Sequence, residues 1–506
     1  MSSKRKIPAT MVTQHPDHAH TPYWHFKPFI STQEEPRELY LSFKDLGATE
    51  YKWDWEGKLV DEAILERIFG EYFDYFQKEK IGKDKFITFR LPNPKVETEY
   101  RLGRAFMGII AASGLAKNLG LKNNPLFEVI LPMTESAKEM YDVQDAFRQV
   151  ASLRHPLLKR GEEDIDHIEM IPLFEDIHTI SHSDEILQEY LDIHQKGFGF
   201  KPEYIRPYVA RSDPALNAGI VPTVLAIKIA LSRYKKFEER NEIFMYPMIG
   251  AAALPFRGGI SPRTIDQFMN EYAGIRTTTI QSAFRYDFPK DEVIEAIQKL
   301  ETKLKTLKTR LISNKDEVNL REIMTLFSKY YRGTIEKIAP LINQVSKSIP
   351  KRRERVQHIG LFGYSRGVGE VKLPRAITFT SSLYSLGVPP ELIGTGRGLQ
   401  VLKTDKMREL LDLLQSIYLN LRSDLLHTIS YTNFDVLEKL AKNTTGFDEV
   451  LADVRGIQDY LGQEPVLTED QIEHNKVTSQ IFERLNSGKD ITNLIEKAAL
   501  LRRSIG

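Results

Sequence analysis

The sequence has no cysteine among its 506 residues, which excludes disulfides, thiolate zinc sites, iron–sulfur clusters and cysteine nucleophiles. It also lacks a surplus of either charge, since 70 basic and 69 acidic side chains leave a formal net charge of +1. A protein that met nucleic acid or a membrane surface through its overall field would carry a stronger imbalance, so neither partner is expected. No apolar run of about twenty residues is present to span a bilayer. Met1-Ser-Ser-Lys-Arg-Lys-Ile-Pro8 is not followed by the apolar core of a secretory signal. A soluble, cytoplasmic protein is the expectation. Internal repeats, low-complexity tracts and Ser/Gly-rich linkers are missing too, so 1–506 reads as a single domain able to bury a large core. Neither the Walker phosphate loop nor the dinucleotide fingerprint occurs, so ATP and NAD sites are not supported.

What is present is an alternation of short β-type runs with longer helical ones. Strands are expected at Met11–Gln14, Thr49–Trp53, Phe86–Arg90, Phe127–Leu131, Ile168–Leu173, Ile205–Val209, Ile243–Met248 and Thr277–Gln281. Helical stretches such as Asp61–Lys78, Glu97–Asn118, Ser136–Ser152, Asp184–His194 and Pro222–Tyr234 lie between them. Eight strands with helices between most of them predict an α/β fold, a (β/α)8 TIM-type barrel over 1–288. From 289 to 506 the pattern becomes long amphipathic helices, including Asp291–Leu311, Leu320–Ala339 and Lys403–Leu421. This helical extension is expected to pack on the barrel and to offer an oligomer interface. The basic cluster Lys351-Arg-Arg-Glu-Arg355 reads as a solvated helix end rather than a phosphate or RNA contact.

Polar residues crowd the C-terminal ends of the expected strands: His15, Asp54, Arg90, Glu135, Glu175, Asp213, Arg257 and Gln281. That is the end at which such barrels carry chemistry. Met170-Ile-Pro-Leu-Phe-Glu-Asp176 releases two acids after an apolar run, and Ile205–Ala210 is followed by Arg211, Ser212 and Asp213. Glu175 and Asp213 suit a hard divalent ion, Mg²⁺ or Mn²⁺, which keeps several waters and shares the rest of its shell with substrate. Either acid could instead cap a helix or sit in its first turn, and Asp176 fits that role better than the metal role. Arginines stand in glycine-rich loops at Pro255-Phe-Arg-Gly-Gly-Ile-Ser-Pro262 and Gly363-Tyr-Ser-Arg-Gly-Val-Gly369, with a third in Leu373-Pro-Arg-Ala376. Guanidinium groups beside exposed backbone N–H suit phosphate and carboxylate, so Arg257, Arg366 and Arg375 point to a doubly anionic substrate. His15, in Thr13-Gln-His-Pro-Asp17, stands where an imidazole can move a proton or stabilise an anion. His18, His20 and His25 lack helical metal-ligand spacing and read as structural.

Assembled in this order, the motifs resemble those of the phosphoenolpyruvate carboxylase family, specifically its short archaeal-type branch. The resemblance runs from Thr13 to about Gly398. It implies that His15 is the catalytic histidine and that Ile171-Pro-Leu-Phe-Glu175 and Ser212-Asp-Pro-Ala-Leu-Asn-Ala-Gly219 carry the metal carboxylates Glu175 and Asp213. It implies further that Arg90 supports the substrate site, that Phe256-Arg-Gly-Gly259 is the surviving half of a glycine-rich loop, and that Arg366 and Arg375 match two later arginines. Two departures stand out. The longer bacterial and plant enzymes have a lysine where this chain has Leu216, and Arg211 is a candidate replacement. Their glycine-rich loop carries a further histidine and arginine, where this chain has Gly250-Ala-Ala-Ala-Leu254.

The resemblance implies carboxylation of phosphoenolpyruvate by bicarbonate to oxaloacetate and phosphate, by way of carboxyphosphate and a metal-bound enolate. Catalytic roles then fall to His15, Arg257 and Arg366, and substrate binding to Arg90, Arg257, Arg366 and Arg375. The Arg257 and Arg366 loops are the expected lids. A homotetramer with an anaplerotic role is implied as well. The rival enzymatic reading is another Mg²⁺-dependent, enolate-forming barrel lyase or aldolase acting on an oxo-acid. A non-catalytic scaffold using its helical half is a third reading, disfavoured by His15, Glu175, Asp213 and Arg257 occurring together.

Overall fold

A computed structural model describes residues 5–56, 60–97, 100–153, 164–354 and 371–506. Eight strands form a closed, all-parallel barrel: β1 Thr10–Val12, β2 Glu50–Asp54, β3 Phe86–Arg90, β4 Glu128–Leu131, β5 Glu169–Phe174, β6 Tyr208–Ala210, β7 Met248–Gly250 and β8 Thr277–Ile280. Each pairs with its neighbours in sequence, and β8 closes on β1. The expected barrel and the large helical part that follows it are both present.

Strand alternation decides what each side chain meets. On β2, Tyr51 and Trp53 turn outward into the core shared with the helices, where Tyr51 OH donates to Glu38 and Trp53 Nε1 to the carbonyl of Asp61. Glu50, Lys52 and Asp54, offset by one, occupy the opposite, inward face. A separate apolar layer of Met11, Ile130, Ile171, Leu173, Tyr208, Ala210 and Met248 fills the barrel's middle. Below it lies a buried ionic layer. Arg206 Nη1 and Nη2 donate to Glu50 at 2.9 and 2.7 Å, Nη1 also donates to Glu128 at 2.7 Å, and Arg5 pairs with Glu128 from beneath. Such a layer adds little net stability, but removing one partner would strand the others.

Two expected strands are each divided. Within Ile205–Val209 and Ile243–Met248, the short strands Tyr204–Ile205 and Phe244–Met245 pair with each other in a separate two-stranded sheet. The barrel resumes at Tyr208 and Met248. Pro207 and Pro247 stand at the breaks, where a residue without an N–H cannot continue a ladder.

In the helical part, Asn314–Ser346 is 33 residues long and lies against Ile220–Asn241, to which Glu317 is joined by Arg233 at 2.6 Å. The solvated-helix reading of Lys351–Arg355 is overturned. Arg352 and Arg353 are buried, and Arg353 donates to Glu38 at 2.5 and 2.6 Å and to Glu35 at 3.2 Å. Charge density in the sequence marked an internal ionic joint between the helical part and the first helix, Glu35–Lys44. Arg355 lies outside the described residues. No described helix is long and apolar enough to cross a membrane.

Candidate active site

Parallel strands that all run the same way deliver their C-terminal residues to one rim. β5 ends at Phe174 and delivers Glu175, half-buried, whose Oε2 accepts the N–H of Met133 at 3.0 Å. Met133 has a φ of 50°, a left-handed conformation seldom adopted by residues with a side chain. The next residue, Asp176, caps the helix Ile177–Ser181 by accepting from His178 and Thr179, as its sequence position suggested. β6, the neighbour of β5, delivers Arg211 and then the helix Ser212–Ala218, with Asp213 half-buried in its first turn. Glu175 and Asp213 thus stand on adjacent strand ends. Two hard oxygen donors are what Mg²⁺ or Mn²⁺ takes from a protein when water and substrate complete its shell.

β1 leads into Thr13, Gln14 and His15. The half-buried His15 ring has Nδ1 3.0 Å from Thr13 Oγ1, and Gln14 Oε1 accepts the N–H of Asp54 at 3.0 Å. His18 is buried between Ser282 Oγ and the carbonyl of Pro28, and burial pushes its pKa down to about 3. His20 meets Asp287 and His25 meets Glu34, each at 3.1 Å. These partners give all three histidines the structural roles their spacing suggested.

Arg257 lies in the one-turn 3₁₀ segment Pro255–Arg257 and is 2% exposed. Its guanidinium ties four parts of the rim together. Nε donates to Ser212 Oγ at 3.1 Å, Nη2 to Gln281 Oε1 at 2.7 Å, and Nη1 to Asp17 Oδ2 at 3.2 Å and to the carbonyl of Gly506. Burial lowers its pKa, while the charges of Asp17 and Asp213 pull the other way. The turn is buried and its backbone N–H and C=O groups are held within the protein.

Arg90 and Asp54 are register partners on β3 and β2. Nε and Nη2 of Arg90 donate to Asp54 at 2.6 Å each, and Nη1 is 2.7 Å from Glu56 Oε2. Burial opposes the charged form, but Asp54 and Glu56 hold the Arg90 pKa well above its ordinary value. Lys52, below them on β2, is 1% exposed; burial, reinforced by Arg90, pushes its pKa down to about 7. Arg375 is exposed at the start of the helix Ala376–Ser385, whose Phe379 packs 5.7 Å from the ring of Phe256. Arg366 lies outside the described residues. Arg211 does not face the rim: its three nitrogens donate to Tyr272 OH and to the carbonyls of Phe256 and Pro255.

A family profile described as phosphoenolpyruvate carboxylase matches residues 7–506. The chain belongs to the phosphoenolpyruvate carboxylase family. It is 40% identical over 509 residues to a phosphoenolpyruvate carboxylase of Leuconostoc mesenteroides, with 100% of both chains covered. The phosphoenolpyruvate carboxylase of Oenococcus oeni is 37% identical, with 99% of each chain covered. An archaeal phosphoenolpyruvate carboxylase, from Pyrococcus abyssi, is 38% identical across 86% of this chain and 90% of its own. The family match runs past Gly398, where the motifs end, to Gly506. At its end Ser504 and Ile505 dock on the carbonyl of Asp17, and Gly506 reaches Arg257, one of the expected site residues. Sequence reasoning missed this tail, together with Asp17, Ser212 and Lys52. Asp17 and Ser212 lay inside quoted motifs; the tail and Lys52 carried no pattern.

Proposed function

We propose that the chain carboxylates phosphoenolpyruvate with bicarbonate, giving oxaloacetate and phosphate. The observation that carries this reading is the placement of Arg257. A buried guanidinium bonded to the ends of β1, β6 and β8 stands beside Asp213, on the rim that also bears Glu175 and His15. A trianionic substrate needs preorganised positive charge in a site of low dielectric.

In this reading Arg257, with Arg366 and Arg375, neutralises the phosphoryl group, while Arg90, fixed by Asp54 and Glu56, supports the substrate's other anionic end. A bicarbonate oxygen attacks phosphorus and the enol oxygen leaves, a displacement governed mainly by positioning and charge. The carboxyphosphate so formed splits to CO₂ and phosphate, and the enolate carbon takes up the CO₂. His15, whose ring is oriented by Thr13 Oγ1 at Nδ1, moves or holds the proton released as carboxyphosphate splits. Glu175 and Asp213 would hold Mg²⁺ or Mn²⁺, which when bound supplies positive charge at the enol and phosphoryl oxygens. Water has to be kept out, because an enolate that takes a proton becomes pyruvate. The same reading takes the enzyme to be cytoplasmic, anaplerotic and a homotetramer.

The test is an assay of phosphoenolpyruvate, Mg²⁺ and bicarbonate coupled to malate dehydrogenase, run at several temperatures. NADH loss that requires bicarbonate is expected, and its absence would overturn the reading. Asp213→Asn should lose most of this activity and weaken Mn²⁺ binding measured by titration while the fold survives. Near-normal turnover would remove Asp213 from the metal site.

A further inference from the structure

The residue before Arg257 is gripped through both of its backbone polar groups. The N–H of Phe256 donates to Glu391 Oε1 at 2.8 Å, and its carbonyl accepts from Arg211 Nη1 at 3.0 Å. Arg211 Nη2 takes the carbonyl of Pro255 at 3.1 Å, so one guanidinium spans two successive peptides. Glu391 is fully buried, in the short turn Pro390–Leu392 of the helical part, and its Oε1 also accepts Tyr384 OH at 2.8 Å. The Phe256 ring, packed near Phe379 and Tyr331, anchors the same residue from its third side.

We propose that Glu391 and Arg211 form a positioning pair that sets where the Arg257 guanidinium lies during phosphoryl transfer, with Glu391 acting as a hydrogen-bond acceptor rather than as a charge. This rests on the reading that Arg257 neutralises the phosphoryl group. The clamp is directional: an acceptor on the N–H and a donor on the C=O fix the tilt of the peptide that leads into Arg257. Neither group alone could do so, and a shift of about 1 Å at a reacting group can cost roughly a hundredfold in rate. Glu391 suits an acceptor role because Oε1 receives both donors whether or not Oε2 carries a proton. Burial, only partly offset by hydrogen bonds from its own N–H, Tyr384 OH and the N–H of Phe256, pushes its pKa up to about 7, so both forms are present near neutrality. The residue belongs to the helical part, 135 positions from Phe256. That part therefore completes the site and does more than cover the barrel.

The test compares Glu391→Gln with Glu391→Leu in the full-length enzyme. Gln keeps the acceptor, and its kcat should stay within about twofold of wild type. Leu removes the acceptor; kcat should fall at least tenfold, with a smaller change in KM for phosphoenolpyruvate. The ratio of phosphate released to oxaloacetate formed should rise, a readout that loss of folded enzyme cannot move. Arg211→Lys retains the charge but cannot span two carbonyls, so it should share the Leu signature; it carries the test if Glu391→Leu is not recovered folded. Wild-type kcat and product ratio in Glu391→Leu and Arg211→Lys would overturn the proposal, as would a Gln variant as impaired as the Leu one. Full carboxylation by Arg257→Gln would instead overturn the underlying reading of Arg257, a result distinguishable from failure of the clamp.

Discussion

A lysine inside a barrel is an expensive residue, and Lys52 shows how the expense should register. Burial, with Arg90 adding to it and Asp54, Glu56 and Glu175 opposing, brings its pKa from the ordinary 10.5 to about 7. Between those values the unfolded chain binds a proton that the folded chain does not, so stability rises with pH across that window, by at most about 1.4 kcal/mol per unit. Lys52→Met should raise the melting temperature at pH 7 and flatten the rise between pH 7 and 10 relative to wild type. Parallel pH profiles for the two proteins would show that the amine is not desolvated as described. Lys52 was illegible in the sequence because a lysine within Glu50-Tyr-Lys-Trp-Asp54 looks like a solvent-facing residue of an alternating strand. The closed barrel has no solvent face, so the same alternation turns it inward. Glu175 and His15 were legible for the opposite reason: each follows an apolar run that can only be a buried strand, and the residue after such a strand has one rim to occupy.

Elements were readable where periodicity was clean and misread where one residue overruled it. Two β-type runs lost their middles to Pro207 and Pro247, residues without an N–H to continue the ladder. The final segment, Ser504–Gly506, had no pattern to read, because its position comes from docking on residues hundreds of positions away. Its geometry is strict. A Cβ on Gly506 would collide with the carbonyl of Ile377 and the N–H of Ser381, both backbone groups that cannot yield. Gly506→Ala should therefore lift the tail and deprive Arg257 of one acceptor. A charge-assisted hydrogen bond is worth about 1.5–3 kcal/mol of stability, so the melting temperature should fall, and kcat/KM for phosphoenolpyruvate should fall with it as Arg257 loses its place. Unchanged kinetics would mean that Arg257 holds its place without the tail.

At the scale of the whole molecule, the barrel and the helical part are joined by buried charge. Glu38 lies between Arg353 and Arg285; burial alone would raise its pKa, but the two guanidinium groups hold it well below the ordinary carboxylate range. The stability this contributes is complete above the unfolded value and is lost as pH falls toward the depressed folded one. Arg353→Met should lower stability by about 3–5 kcal/mol, the usual cost of removing one partner of a buried pair. It should also move the acid-unfolding midpoint to higher pH, followed by circular dichroism; an unshifted midpoint would show that Arg285 suffices. The joint also explains why the fold was easier to read than its assembly. Strand and helix periods are local, whereas Lys351–Arg355 needed its distant acids before it could be understood. The ionic layer of Arg206, Glu50, Glu128 and Arg5 closes the opposite end of the barrel from the rim. Between that layer and the rim lies the apolar layer of Met11, Ile130, Ile171, Leu173, Tyr208, Ala210 and Met248, so among the described residues the barrel's axis is filled beneath the site. In the proposed reaction a CO₂ set free at the rim has packed side chains on one side and its carbon partner on the other, so the filled axis favours capture over escape.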